Sequence, residues 1–68
     1  MNIFVSYELT MRIGQSFDKG YGNGIFTGIG SVKTQEDLED LTIAVEEKLI
    51  ETNKADAVSI VILNFREI

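Results

Sequence analysis

The sequence contains no cysteine and no histidine, which removes most of the chemistry by which small proteins catalyse reactions or staple themselves together. Without them there is no thiol nucleophile, no imidazole base, no disulfide and none of the usual zinc ligand sets. The expectation is a protein that is not an enzyme and needs no metal or cofactor. A domain of 68 residues buries only about 60% of the surface its unfolded chain exposes, and small folds compensate with disulfides, a metal or a partner subunit. Association with further copies is the route left open. Basic residues are scarce as well, six against eleven acidic ones for a net charge of −5. Phosphate neutralisation requires a basic stripe, so no direct binding of DNA or RNA is expected. No apolar run approaches the roughly 18 residues of a membrane span, and the opening Met1-Asn2-Ile3-Phe4 lacks the basic region of a signal peptide. A cytoplasmic protein without membrane contact is expected.

What is present is enough to fold. The hydrophobic fraction of 44% and charged fraction of 25% are those of ordinary globular chains rather than of disordered ones, and residues 1–68 read as one domain. The charge is uneven. Residues 34–52 hold Glu36, Asp37, Glu39, Asp40, Glu46, Glu47 and Glu51 against Lys48 alone, a net of −6, and the remainder sums to +1. An acidic face opposes a nearly neutral one.

Along the chain, Ile3, Val5, Tyr7, Leu9, Met11 and Ile13 alternate with Phe4, Ser6, Glu8, Thr10 and Arg12, the period-two pattern of a half-buried strand. Residues 14–24 interrupt it with four of the six glycines and read as a long hairpin loop, either functional or flexible. A second strand is expected from Ile25 to about Val32, with Ile25, Thr27 and Ile29 on one side. Gly28 and Gly30 weaken it, so it belongs at an edge or a contact. Thr34 and Asp37 have the spacing of a capping box, and acidic residues suit the positive end of the helix that follows to about Thr52. Leu38, Leu41, Val45 and Leu49 form its core-facing stripe. Ile43 and Ile50 fall off that stripe among glutamates, as single exposed residues or as a contact. The last strand, Ala57 to Phe65, has Val58, Ile60 and Ile62 on one face and Val61, Leu63 and Phe65 on the other.

These elements make an α+β domain of ββαβ order. A right-handed crossover sets strands two and three parallel, with strand one between them in a sheet of order 2-1-3 and one helix packed on one face. Strand three is then an edge with an apolar second face, which monomers seldom leave uncovered. A homo-oligomer joined through Val61, Leu63 and Phe65, with Ile43 and Ile50 as a second contact, is the expectation.

The segment Gly20-Tyr21-Gly22-Asn23-Gly24 fails as a phosphate loop, because a strand rather than a helix follows it. A looser ligand role remains: glycines expose backbone N–H groups, Phe17 and Tyr21 can stack on a ring, and Arg12, Lys19 and Asn23 supply polar contacts. The alternative is a hairpin whose aromatics fold back on the sheet. No calcium loop is present, since the acidic series and closing glutamate are missing.

Phe4-Val5-Ser6-Tyr7, Gly20-Tyr21-Gly22-Asn23, the acidic helix and Val61-Ile62-Leu63-Asn64 together resemble small proteins of bacteriophages and prophages. The resemblance implies a non-enzymatic accessory factor acting in the host cell cytoplasm. Such factors include oligomers that sequester nucleotide-like immune signals, evading host defence, and inhibitors that bind host nucleases through acidic surfaces. In the first role Gly22 and the side chains already named, joined by Arg66, hold the anionic ligand. In the second, Glu39, Glu46 and Glu47 meet a host protein. A structural role in a phage particle is a third possibility.

Overall fold

The computed structural model describes residues 2–28 and 30–68; Met1 and Ile29 lie outside the described residues. The chain runs β1 (Ile3–Ile13), β2 (Ser16–Phe26), α1 (Gln35–Asn53) and β3 (Ala57–Glu67). The three strands form one sheet of order β2-β1-β3, with β1 antiparallel to both neighbours. This is the ββαβ, α+β arrangement that the sequence predicts.

The alternation of β1 decides where the core lies. Ile3, Val5 and Tyr7 are buried against Leu41 and Val45 of the helix and Ile60 of β3. Leu38, Leu49, Leu9, Val58 and Ile62 pack around this cluster, so the helix lies over β1 and β3 and uses the expected stripe. Its start is fixed by Thr34, whose Oγ1 accepts from the Asp37 N–H at 3.1 Å while Asp37 Oδ2 accepts from the Thr34 N–H at 3.2 Å. Its end is fixed by Lys54, a left-handed residue at φ 54° whose N–H returns to the Ile50 carbonyl. That cap releases the chain into β3.

The Lys33 N–H also donates to Asp37 Oδ2, and this bond, helped by Thr34, holds the Asp37 carboxyl below the usual carboxylate range. A group whose folded pKa is depressed stabilises the fold above its unfolded value, about 3.9 for aspartate, and loses that contribution as pH falls through the folded value. Acid titration of the wild type should therefore show a loss of helix below about pH 4 that Asp37→Asn lacks, read by far-UV circular dichroism. Parallel curves for the two proteins would exclude it.

Three expectations are corrected. Residues 14–24 are not a long loop: Gly14 and Gln15 alone make the turn, with Gly14 at φ 61°, the two-residue hairpin with glycine at its first central position. The strand predicted for Ile25–Val32 instead spans Ser16–Phe26; among the described residues of the remainder, 27, 28 and 30–32, none is in a strand, and Gly28 has φ 76°. The reason is side-chain geometry. Gly20, Gly22 and Gly24 pair with Leu9, Tyr7 and Val5 and so fall on the helix side of the sheet. A Cβ at Gly22 would stand 2.8 Å from the Tyr7 ring, and one at Gly24 would stand 3.6 Å from the Phe26 ring. At Gly22 and Gly24 aromatic rings stand beside the position a side chain would take, whereas the space at Gly20 is open.

The third correction concerns β3. Ser6 pairs with Asn64 and Tyr7 with Ile62, which leaves Leu63 as the extra residue of a β-bulge. One inserted residue reverses the alternation beyond it. Phe65 pairs with the core residue Val5 and packs against the core, so it does not share a face with Val61, as the sequence predicted.

Candidate functional site

The face of the sheet away from the helix is the candidate site. Its layout follows from the two registers. From the hairpin end, the rows across β2, β1 and β3 are Phe17–Arg12–Ala57, Lys19–Thr10–Ser59, Tyr21–Glu8–Val61, Asn23–Ser6–Asn64 and Ile25–Phe4–Arg66. Six of the seven predicted ligand residues, Arg12, Phe17, Lys19, Tyr21, Asn23 and Arg66, therefore share one surface. Gly22 does not, because it faces Tyr7 on the helix side.

This surface is open, aromatic and cationic. Phe17 and Tyr21 are 68% and 78% exposed, which leaves their ring faces free to stack. Of the eleven acidic residues only Glu8 lies in these rows, against Arg12, Lys19 and Arg66, for a local net of +2 on a chain of net −5. Placing exposed aromatics and cations on one side and gathering acids on the helix segregates charge across the thickness of the domain. Coulombic attraction then favours an anionic ligand on the sheet and repels it from the helix.

Distance divides the predicted residues into two groups. Arg12 and Arg66 stand eight positions apart along the sheet, about 27 Å at 3.4 Å per residue. A small ligand reaches only one of them. The Arg66 guanidinium lies 5.9 Å from the Phe4 ring centroid, within range of a cation–π contact. Arg12 lies at the hairpin end, where its Nη1 donates to the Gly14 carbonyl at 3.3 Å. Thr10, Arg12, Phe17, Ala57, Val58 and Ser59 line a shallow hollow of about 160 Å³ there. A larger hollow of about 370 Å³ between the end of β2 and the helix carries one charged side chain, Lys48. The hairpin end combines a cation, a free ring and two hydroxyls, and is the better match to an anionic ring compound.

Thr10 and Ser59 were not among the predicted residues, although the even positions of β1 already marked a wet face; Ser59 needed the pairing register. No polar side chain is buried among the described residues, and none of their acidic clusters forms a metal-binding group. The surface offers stacking, hydrogen bonding and charge.

The expected oligomer residues scatter. Ile43, Val61 and Leu63 are exposed, Ile50 is half-buried and Phe65 turns to the core. The edge of β3 is also partly occupied, since Glu46 Oε2 accepts the outward Ile60 N–H at 3.1 Å. No protein-family model, curated protein or solved structure matches the chain.

Proposed function

We propose that the chain is a non-enzymatic binding domain that holds a nucleotide-like ligand on its open sheet face, the ring stacked on Phe17 or Tyr21 and the phosphate met by Arg12 and Lys19. The observation that carries this reading is the segregation of charge: three of six cations and two exposed rings share a face with one of eleven acids. Stacking on an aromatic contributes about 1–3 kcal/mol per base, and a phosphate beside two cations adds charge-assisted hydrogen bonds. The resemblance to phage proteins supports sequestration of a host signal as the purpose of such binding.

The test is thermal unfolding with AMP, GMP, NAD and cyclic di-AMP. At a hundredfold excess over Kd a ligand of the folded state adds about 2.7 kcal/mol. For a domain this small that raises Tm by roughly 10–20 °C. Phe17→Ala and Arg12→Ala should each abolish most of the shift, and Arg66→Ala, about 27 Å away, should leave it intact. An unchanged Tm with every nucleotide rejects the reading.

A second reading, an inhibitor that docks on a host protein through the helix, is favoured by the exposure of Glu36, Glu39, Asp40, Glu47 and Glu51. Glu46 drops out of that surface because its carboxylate is bound to β3.

A further inference from the structure

We infer that the free edge of β2 pairs antiparallel with β2 of a second copy, about a two-fold axis at Tyr21, to make one continuous six-stranded sheet. This stands independently of any ligand. The two edges of the sheet differ. On β3 a helix carboxylate takes the Ile60 N–H and a bulge at Leu63 breaks the line of the strand, both of which hinder strand addition. β2 is eleven residues long and pairs with β1 without a register shift. The two-residue turn makes Ile13 and Ser16 a hydrogen-bonded pair, so even positions of β2 bond to β1 and the backbone groups of Phe17, Lys19, Tyr21, Asn23 and Ile25 point outward. No strand lies on that side among the described residues.

The occupant follows from self-complementarity. An antiparallel pair of identical strands aligns all eleven residues in one register only, that centred on Tyr21, midway along Ser16–Phe26. In it Phe17 faces the partner's Ile25, Lys19 faces the partner's Asn23 and Tyr21 faces the partner's Tyr21. Asp18 faces the partner's Gly24. No like charges meet, whereas an axis at Lys19 would set two lysines opposite each other. Phe17, Tyr21 and Ile25, 68%, 78% and 59% exposed, become cross-strand neighbours, which accounts for three large apolar side chains on an otherwise unshielded edge. The two open faces join into one surface, with Arg12 and Lys19 of both copies on the same side.

Light scattering after size exclusion should give about twice the 7.6 kDa chain mass at tens of micromolar. In the wild type, hydrogen exchange at the amides of Lys19, Tyr21 and Asn23 should slow at least about tenfold between dilute and concentrated protein, as expected when their free N–H groups become paired. A single Tyr21→Cys should oxidise to a covalent dimer, because directly opposed hydrogen-bonded residues stand about 5.5 Å apart between Cα atoms, within disulfide reach. Ile25→Cys should not, its two copies being eight positions apart, about 27 Å. A monomer throughout this range, fast exchange at those amides in a dimer, or cross-linking at Ile25→Cys but not Tyr21→Cys would each overturn the inference. The exchange measurement needs no variant and decides the matter even if the substitutions disturb folding.

Discussion

Leu41→Ala should remove most of the stability of the domain. Leu41 is fully buried and is one of only two helix residues buried outright, the other being Val45. Replacing a buried leucine by alanine costs about 2–5 kcal/mol, the lost transfer energy plus a cavity that neighbours fill only in part. At roughly 0.05–0.15 kcal/mol per residue, a chain of this length has a total stability of only about 3–10 kcal/mol. In urea the midpoint should fall steeply, with the slope retained while a folded baseline persists. Ile43→Ala, on the exposed side of the same helix, should change stability by no more than about 0.5 kcal/mol. Both variants should be compared with wild type at one protein concentration, since self-association would add to apparent stability. A loss below about 1 kcal/mol at Leu41 would mean that the helix is not the lid of the core.

The elements that were legible in the sequence are those whose local signals agree with their tertiary surroundings. β1 alternates because one side meets the helix and the other meets water, and α1 announces its start through Thr34 and Asp37. With those two elements placed and a crossover joining parallel strands, the simplest arrangement, strand one in the middle, is the order the structure has. β2 was hidden because glycine has two meanings. Read alone, four glycines in eleven residues break a strand; paired with β1, two of them, Gly22 and Gly24, lie beside the rings of Tyr7 and Phe26. Nothing within the segment distinguishes these cases, because the cause sits on another strand or further along the same one. The bulge at Leu63 was hidden for a similar reason: Val-Ile-Leu is apolar at every position, so no change of pattern marks the reversal that carries Phe65 inward.

The candidate site was legible as a list but not as a shape. Phe17, Lys19, Tyr21 and Asn23 were grouped as loop neighbours, and they share a surface because alternate residues of a strand project to one side. Arg12 joins them through its pairing with Phe17. Arg66 shares the face but not the neighbourhood, a separation that only the register reveals. Charge segregation was half visible, since the acidic helix stands out in sequence while its cationic counterpart is spread over three strands and emerges only when they are laid side by side.

The reading of the β2 glycines leads to a contrast between neighbouring sites. Gly22→Ala should destabilise the domain by about 1–3 kcal/mol, the usual cost of forcing a methyl group into a packed site. Its new Cβ would lie 2.8 Å from Cε2, Cζ and Oη of Tyr7, whose ring is 5% exposed and sits in the core cluster. The backbone is not the obstacle, because Gly22 is not among the glycines of positive φ. Gly20→Ala, two residues away on the same side, meets nothing within 4 Å and should be neutral or stabilising by up to about 1 kcal/mol, through the reduced freedom of the unfolded chain. Trimming the ring should couple the sites. In a double-mutant cycle with Tyr7→Leu, Gly22→Ala should recover about 0.5–3 kcal/mol relative to additivity, as contacting residues do. Gly20→Ala should show no such coupling. If both glycines respond alike, the aromatic ring is not what requires glycine at position 22, and β2 must owe its unusual composition to something other than the packing of its neighbour.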